Sequence, residues 1–160
     1  MEEKLNKIYE KIADNLNQTI PEEWDKVYMY GEVNEHMQKA FFYYYPSNSD
    51  KPVYSLDIPE LFEIPENKVN NSRYKLLEIM EELWNEFKNN GQEPWTNFTF
   101  VLESNGKFKI DYDYTDLSEA SPREQRWIWK YKYLGIMPEN EKGKKVIEEY
   151  IKSAQNHDHP

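Results

Sequence analysis

Leu5, Ile8, Tyr9, Ile12 and Leu16 recur at helical spacing, so residues 2–18 are expected to form an amphipathic helix that buries one stripe. Pro21 follows its end. From Trp24 to Val33 the residues are strand formers, and a polar loop at Asn34-Glu35-His36 separates them from a second run, Lys39 to Tyr45. Six of those seven residues are apolar or aromatic, which predicts an antiparallel pair whose second strand is buried on both faces. Val53 to Leu56 offers a short third strand. Pro59 and Pro65 then interrupt any regular element, and an irregular, acidic, partly exposed crossing segment is expected there. It carries Asp57, Glu60, Glu63 and Glu66 among Leu61, Phe62 and Ile64. A helix should follow, capped by Ser72 and ended before Gly91. Leu76, Leu77, Met80, Leu83, Trp84 and Phe87 would form its apolar face, with Glu78, Glu81, Glu82 and Glu86 outward.

The next hairpin is predicted to the register. A two-residue Asn105-Gly106 turn would set Glu103 against Phe108. A three-residue loop, Ser104-Asn105-Gly106, with glycine at the left-handed bulge position pairs Glu103 with Lys107, Leu102 with Phe108, Phe100 with Ile110 and Phe98 with Tyr112. The returning strand, Phe108 to Tyr114, alternates apolar with charged residues, so Asp111 and Asp113 share the other face, beside Thr99 and Asn97. Ser121-Pro122-Arg123-Glu124 is a capping box with proline at the first helical position. The helix it opens ends at Gly135, whose missing side chain suits a left-handed cap. A last helix starting at Pro138 or Glu139 packs Val146, Ile147, Tyr150 and Ile151. The architecture is α+β: an antiparallel sheet of about four to five strands with helices packed on it, one helix at the amino terminus and two at the carboxy terminus. Residues 1–153 are expected to form a single domain and 154–160 a polar tail.

Composition narrows the function. Aromatic residues make up 16% of the chain, with 13 tyrosines, which predicts a core built from rings more than from aliphatics. Thirty acids against 20 bases leave a net charge of −10, which repels nucleic acid and anionic membrane and attracts a basic partner. The chain has no cysteine, so disulfides and thiolate metal sites are excluded. The acidic start lacks the apolar run of a secretion signal, and no apolar stretch is long enough to span a bilayer; a cytoplasmic location is expected.

Candidate chemistry is sparse. Asp111, Asp113, Asp116 and Glu119 are the tightest acidic group, the kind of set a metal-dependent hydrolase would use. Four bases follow at once on the next helix, Arg123, Arg126, Lys130 and Lys132, and solvated or paired carboxylates are the simpler account. On that helix Trp127, Ile128, Tyr131 and Leu134 form one face, while Trp129 and Tyr133 stand nearly opposite. Trp129 and Tyr133 are either covered by the chain's own elements or an exposed aromatic pair of the kind enriched at interface hot spots. His36 lies in a loop, and His157 and His159 in the tail. With five glycines and no nucleophile motif, no phosphate-cradling loop or catalytic constellation stands out, so neither cofactor nor metal is expected and a binding protein is favoured over an enzyme. An interaction module of general kind remains the blander alternative.

The run Phe108 to Tyr114, the Ser121 to Glu124 cap and Trp127-Ile128-Trp129-Lys130-Tyr131 resemble the YezG-like family of bacterial immunity proteins. The early helix, the Tyr28 to Val33 strand and the Trp84 helix come in the same order. The resemblance implies an antitoxin that binds and neutralises the nuclease domain of a secreted polymorphic toxin made by the same cell, often of the LXG type or exported by a type VII system. It implies no catalytic residues. On physical grounds Asp57, Glu60, Glu63, Asp111, Asp113 and Asp116 are the candidate steering charges, with Trp129 and Tyr133 as candidate anchors.

Overall fold

The computed structural model describes the backbone of residues 1–158 and the side chains of residues 1–155. His157 and His159, and the metal grip considered for them, lie outside that description. Contacts gather the chain into two compact units, residues 1–115 and the residues from Asp116 onward.

In the first unit, α1 (Glu2–Thr19) precedes β1 (Trp24–Val33), β2 (Gln38–Pro46) and β3 (Val53–Tyr54). A 3-10 turn (Ser55–Asp57), α2 (Ile58–Phe62), α3 (Glu66–Asn89), β4 (Asn97–Glu103) and β5 (Phe108–Asp113) follow. The five strands form one antiparallel sheet in the order β3-β2-β1-β4-β5. The predicted hairpin register holds: Leu102 faces Phe108, Phe100 faces Ile110 and Phe98 faces Tyr112. Gly106 closes the loop at φ 91°, where a side chain would be strained, and the Glu103 amide donates to the Lys107 carbonyl at 2.8 Å.

One face of the sheet carries Val27, Met29, Phe42, Tyr44, Phe98, Phe100 and Leu102 into the core, where α1 supplies Ile8, Ile12 and Leu16 and α3 supplies Leu76, Met80 and Leu83. The expectation of a ring-built core is therefore half right. Sheet and loop bring most of the rings, Trp95 included, while the helices bring mostly aliphatics beside Tyr9 and Phe87, in line with the preference of aromatic side chains for strands. Each fully buried aliphatic is worth about 1.5–3 kcal/mol. Polar ties fix the helices in place: Asn15 Nδ2 donates to the Ser72 carbonyl at 2.9 Å, Lys11 pairs with Glu82 at 3.2 Å, and the Tyr9 and Tyr112 hydroxyls share a 2.6 Å bond between α1 and β5. On the other face of the sheet Tyr30 stacks on Phe41 and Tyr43 on Tyr54, with ring centroids 5.2 and 4.8 Å apart.

Three expectations are corrected here. The segment after β3 is not irregular: Pro59 sits in the first turn of α2, where its missing N–H costs nothing, and Pro65 precedes α3. Helix α3 thus starts six residues ahead of Ser72, whose hydroxyl bonds back to the Lys68 carbonyl instead of capping. Glu86, expected outward, is buried, and its carboxylate accepts a 2.8 Å bond from the Asn90 amide.

The second unit holds α4 (Pro122–Leu134) and α5 (Glu141–Asp158). Ser121 Oγ accepts from the Glu124 amide and Gly135 ends α4 at φ 69°, as the sequence predicts. Helix α5 begins later than expected because Asn140 caps it, Oδ1 accepting from the Gly143 amide at 2.6 Å, and it continues into the stretch expected to be tail.

Three phenols are held protonated. Burial, then hydrogen bonds to Tyr9, Glu32 and Glu22 respectively, raise the pKa values of Tyr112, Tyr30 and Tyr44 far above that of a free tyrosine. The folded phenols release their protons at higher pH than the unfolded ones. Their contribution to stability is complete below about pH 10 and is lost as pH rises beyond it. In an alkaline titration followed by phenolate absorbance and circular dichroism, these three should ionise only together with loss of structure.

Candidate interaction surface

Charge is unevenly divided along the chain. Residues 1–115 carry 22 acids and 12 bases, whereas the residues from Asp116 onward carry eight of each, so the first unit holds the whole net charge of −10.

Within that unit the candidate carboxylates fall in two places. Asp111 and Asp113 project from one face of β5, opposite Thr99 and Asn97, as their spacing predicts. Both are engaged: Asp111 lies 3.8 Å from Lys109 Nζ, and Asp113 Oδ1 accepts from the Thr115 amide at 3.0 Å and the Thr115 hydroxyl at 2.7 Å. Asp57, Glu60 and Glu63 lie on the 3-10 turn and α2, with Glu66 at the start of α3, and all four are exposed. Among the described residues none of the four has an ion-pair or side-chain hydrogen-bond partner. Two exposed leucines, Leu56 and Leu61, sit in the same stretch; their residue types alone do not show that they face solvent.

In the second unit the Asp116 carboxylate accepts from the Ser118 amide at 2.9 Å, and this bond holds its pKa below the usual carboxylate range. Trp129 and Tyr133 are neighbours on α4, with ring centroids 5.6 Å apart. Of the two readings open for this pair, burial applies to Trp129, which is 6% exposed, while Tyr133 is partly exposed. Among the described residues no group of three or more histidines and acids is placed to hold a metal ion, and no helix is long and apolar enough to cross a membrane.

The profile of the family described as "Immunity protein YezG-like" matches residues 5–148. The chain belongs to that family. Three relatives agree along nearly their whole lengths. "Immunity protein YezG" of Bacillus spizizenii (strain ATCC 23059 / NRRL B-14472 / W23) is 36% identical over 154 residues, covering 95% of this chain and 96% of its own. "Immunity protein YezG" of Bacillus subtilis (strain 168) is 36% identical over 149 residues, 92% of this chain and 99% of its own. "Type VII secretion system protein EsaG" of Staphylococcus aureus (strain NCTC 8325 / PS 47) is 35% identical over 159 residues, 96% and 98%. Membership in the YezG-like family sets the chain among immunity proteins rather than enzymes.

Proposed function

We propose that this chain protects the cell that makes it by binding the nuclease domain of a cognate secreted toxin, of the LXG type and exported by a type VII system, before that toxin leaves the cytoplasm. The observation that carries the reading is the concentration of the entire charge excess in residues 1–115 of a YezG-like immunity protein. A domain that cleaves nucleic acid is commonly basic because it must hold phosphates. An acidic surface competes for that same face and speeds encounter by electrostatic steering. Asp57, Glu60, Glu63, Asp111, Asp113 and Asp116 are the steering charges of this proposal. Tyr133, backed by the Trp129 ring, is its aromatic contact.

The purified chain is titrated into the nuclease domain encoded beside its gene, and DNA cleavage is followed. Cleavage is expected to stop at stoichiometric addition, with a stable complex whose association rate falls as salt rises. Undiminished cleavage in an excess of the chain would reject the proposal.

A further inference from the structure

We infer that the toxin seats on the ledge made by the Ser55–Asp57 turn, α2 and the start of α3, with Leu56 and Leu61 as apolar anchors and Asp57, Glu60, Glu63 and Glu66 as their charged rim. The inference rests on the toxin-binding reading above and says where on the molecule it happens.

The two leucines are 50% and 60% exposed although the elements that carry them are firmly seated. Ile58 between them is fully buried, Ser55 Oγ accepts from the Phe42 amide of β2 at 3.2 Å, and the Ile64 amide donates to the Pro59 carbonyl at 3.0 Å. Glu63 ends α2 in the left-handed region at φ 52°, so the chain turns sharply there and leaves Leu61 on a fixed projection. Apolar side chains exposed on a backbone already fixed in place remove water-exposed area on binding with little further backbone ordering to offset it.

The rim names the partner. From Pro52 to Asn67 there are four acids and no lysine or arginine, and among the described residues the four carboxylates have no ion-pair partner. Their mutual repulsion is relieved by a basic protein surface. A second copy of this chain would bring eight carboxylates together, and nucleic acid would add phosphates to them. The pocket beside Leu56, about 20 Å³, is too small for an organic ligand. A basic protein face with sockets for two leucines remains.

The test measures affinity for the nuclease domain encoded beside the gene, using the full chain, the double variant Leu56→Ser/Leu61→Ser, the single variant Glu60→Lys, and Asp111→Asn/Asp113→Asn as a comparison on β5. The ledge residues are exposed, so all ledge variants should keep the wild-type circular dichroism. Glu60→Lys preserves the test if the leucine variant folds poorly. Loss of affinity by about 30-fold or more in the leucine variant, and by about 10-fold in Glu60→Lys, with a smaller loss in the β5 variant, is expected. Tight binding by the wild type that the ledge variants leave unchanged would overturn the ledge and keep the toxin reading. Failure of the wild type itself to bind would overturn both.

Discussion

Gly31→Val should destabilise the protein by about 3 kcal/mol, lowering the urea midpoint at unchanged slope and the melting temperature by roughly 6–12 °C. Gly31 lies on β1 with Ala40 on one side and Phe98 on the other, on the face that meets the helices. A Cβ there would fall 2.5 Å from the edge of the Phe98 ring and 3.0 Å from the Met80 methyl. The ring occupies the space that the missing side chain leaves, which is the usual reason for glycine inside a strand. Valine has the better strand propensity, a gain of at most about 1 kcal/mol, so crowding wins. The cause is checked by a double-mutant cycle. Gly31→Ala with Phe98→Leu should cost less than the two single changes added, and strict additivity would disprove the steric account.

Phe100→Ala is expected to cost about 3–5 kcal/mol. Phe100 has no exposed surface, faces Met29 across the sheet, and stacks on Phe108 with centroids 5.2 Å apart and planes 17° apart. Its loss leaves a hole under the centre of the sheet. Phe108 shares the stack but is 42% exposed, so Phe108→Ala should cost only about 1 kcal/mol. If denaturant melts gave equal losses for the two rings, stacking rather than burial would be holding this part of the fold.

Much of this structure is legible in the residues because local signals agree. In the β4–β5 hairpin the apolar alternation, the charge pair and the turn glycine all require the same register. Helix α4 carries both of its ends in its sequence, Ser121 at one and Gly135 at the other. Residues 57–66 are misread because proline has two meanings, a breaker inside a helix and a favoured residue at its start, and only the fold shows that Pro59 takes the second. Glu86 looks outward-facing until Asn90, one turn on, is seen to satisfy its carboxylate. Trp95, 1% exposed, stands in a loop with no periodicity to announce its burial, and its carbonyl accepts the Trp84 indole N–H at 3.2 Å.

The candidate surface is less legible for a different reason. Acids can be counted in a sequence, but which of them lack partners depends on what packs around them. Asp111 and Asp113 stand out by spacing and turn out to be engaged, whereas the four carboxylates around α2 are spread through an apparent loop and have no ion-pair partner among the described residues. The leucines beside them carry no signal at all until their exposure is known.

The bond between the Tyr9 and Tyr112 hydroxyls joins residues 103 positions apart. Helix α1 precedes every strand of its unit in the chain, and β5, which this bond reaches, is the last of those strands. Helix α1 can meet β1, β2 and α3 before that, through Asn15 and Lys11 among others, but the tie from Tyr9 closes only when β5 is in place. Topology of this kind makes acquisition of the native state slow and all-or-none. Under the function proposed here, a nascent guardian gives no cover until nearly its whole first unit has been translated.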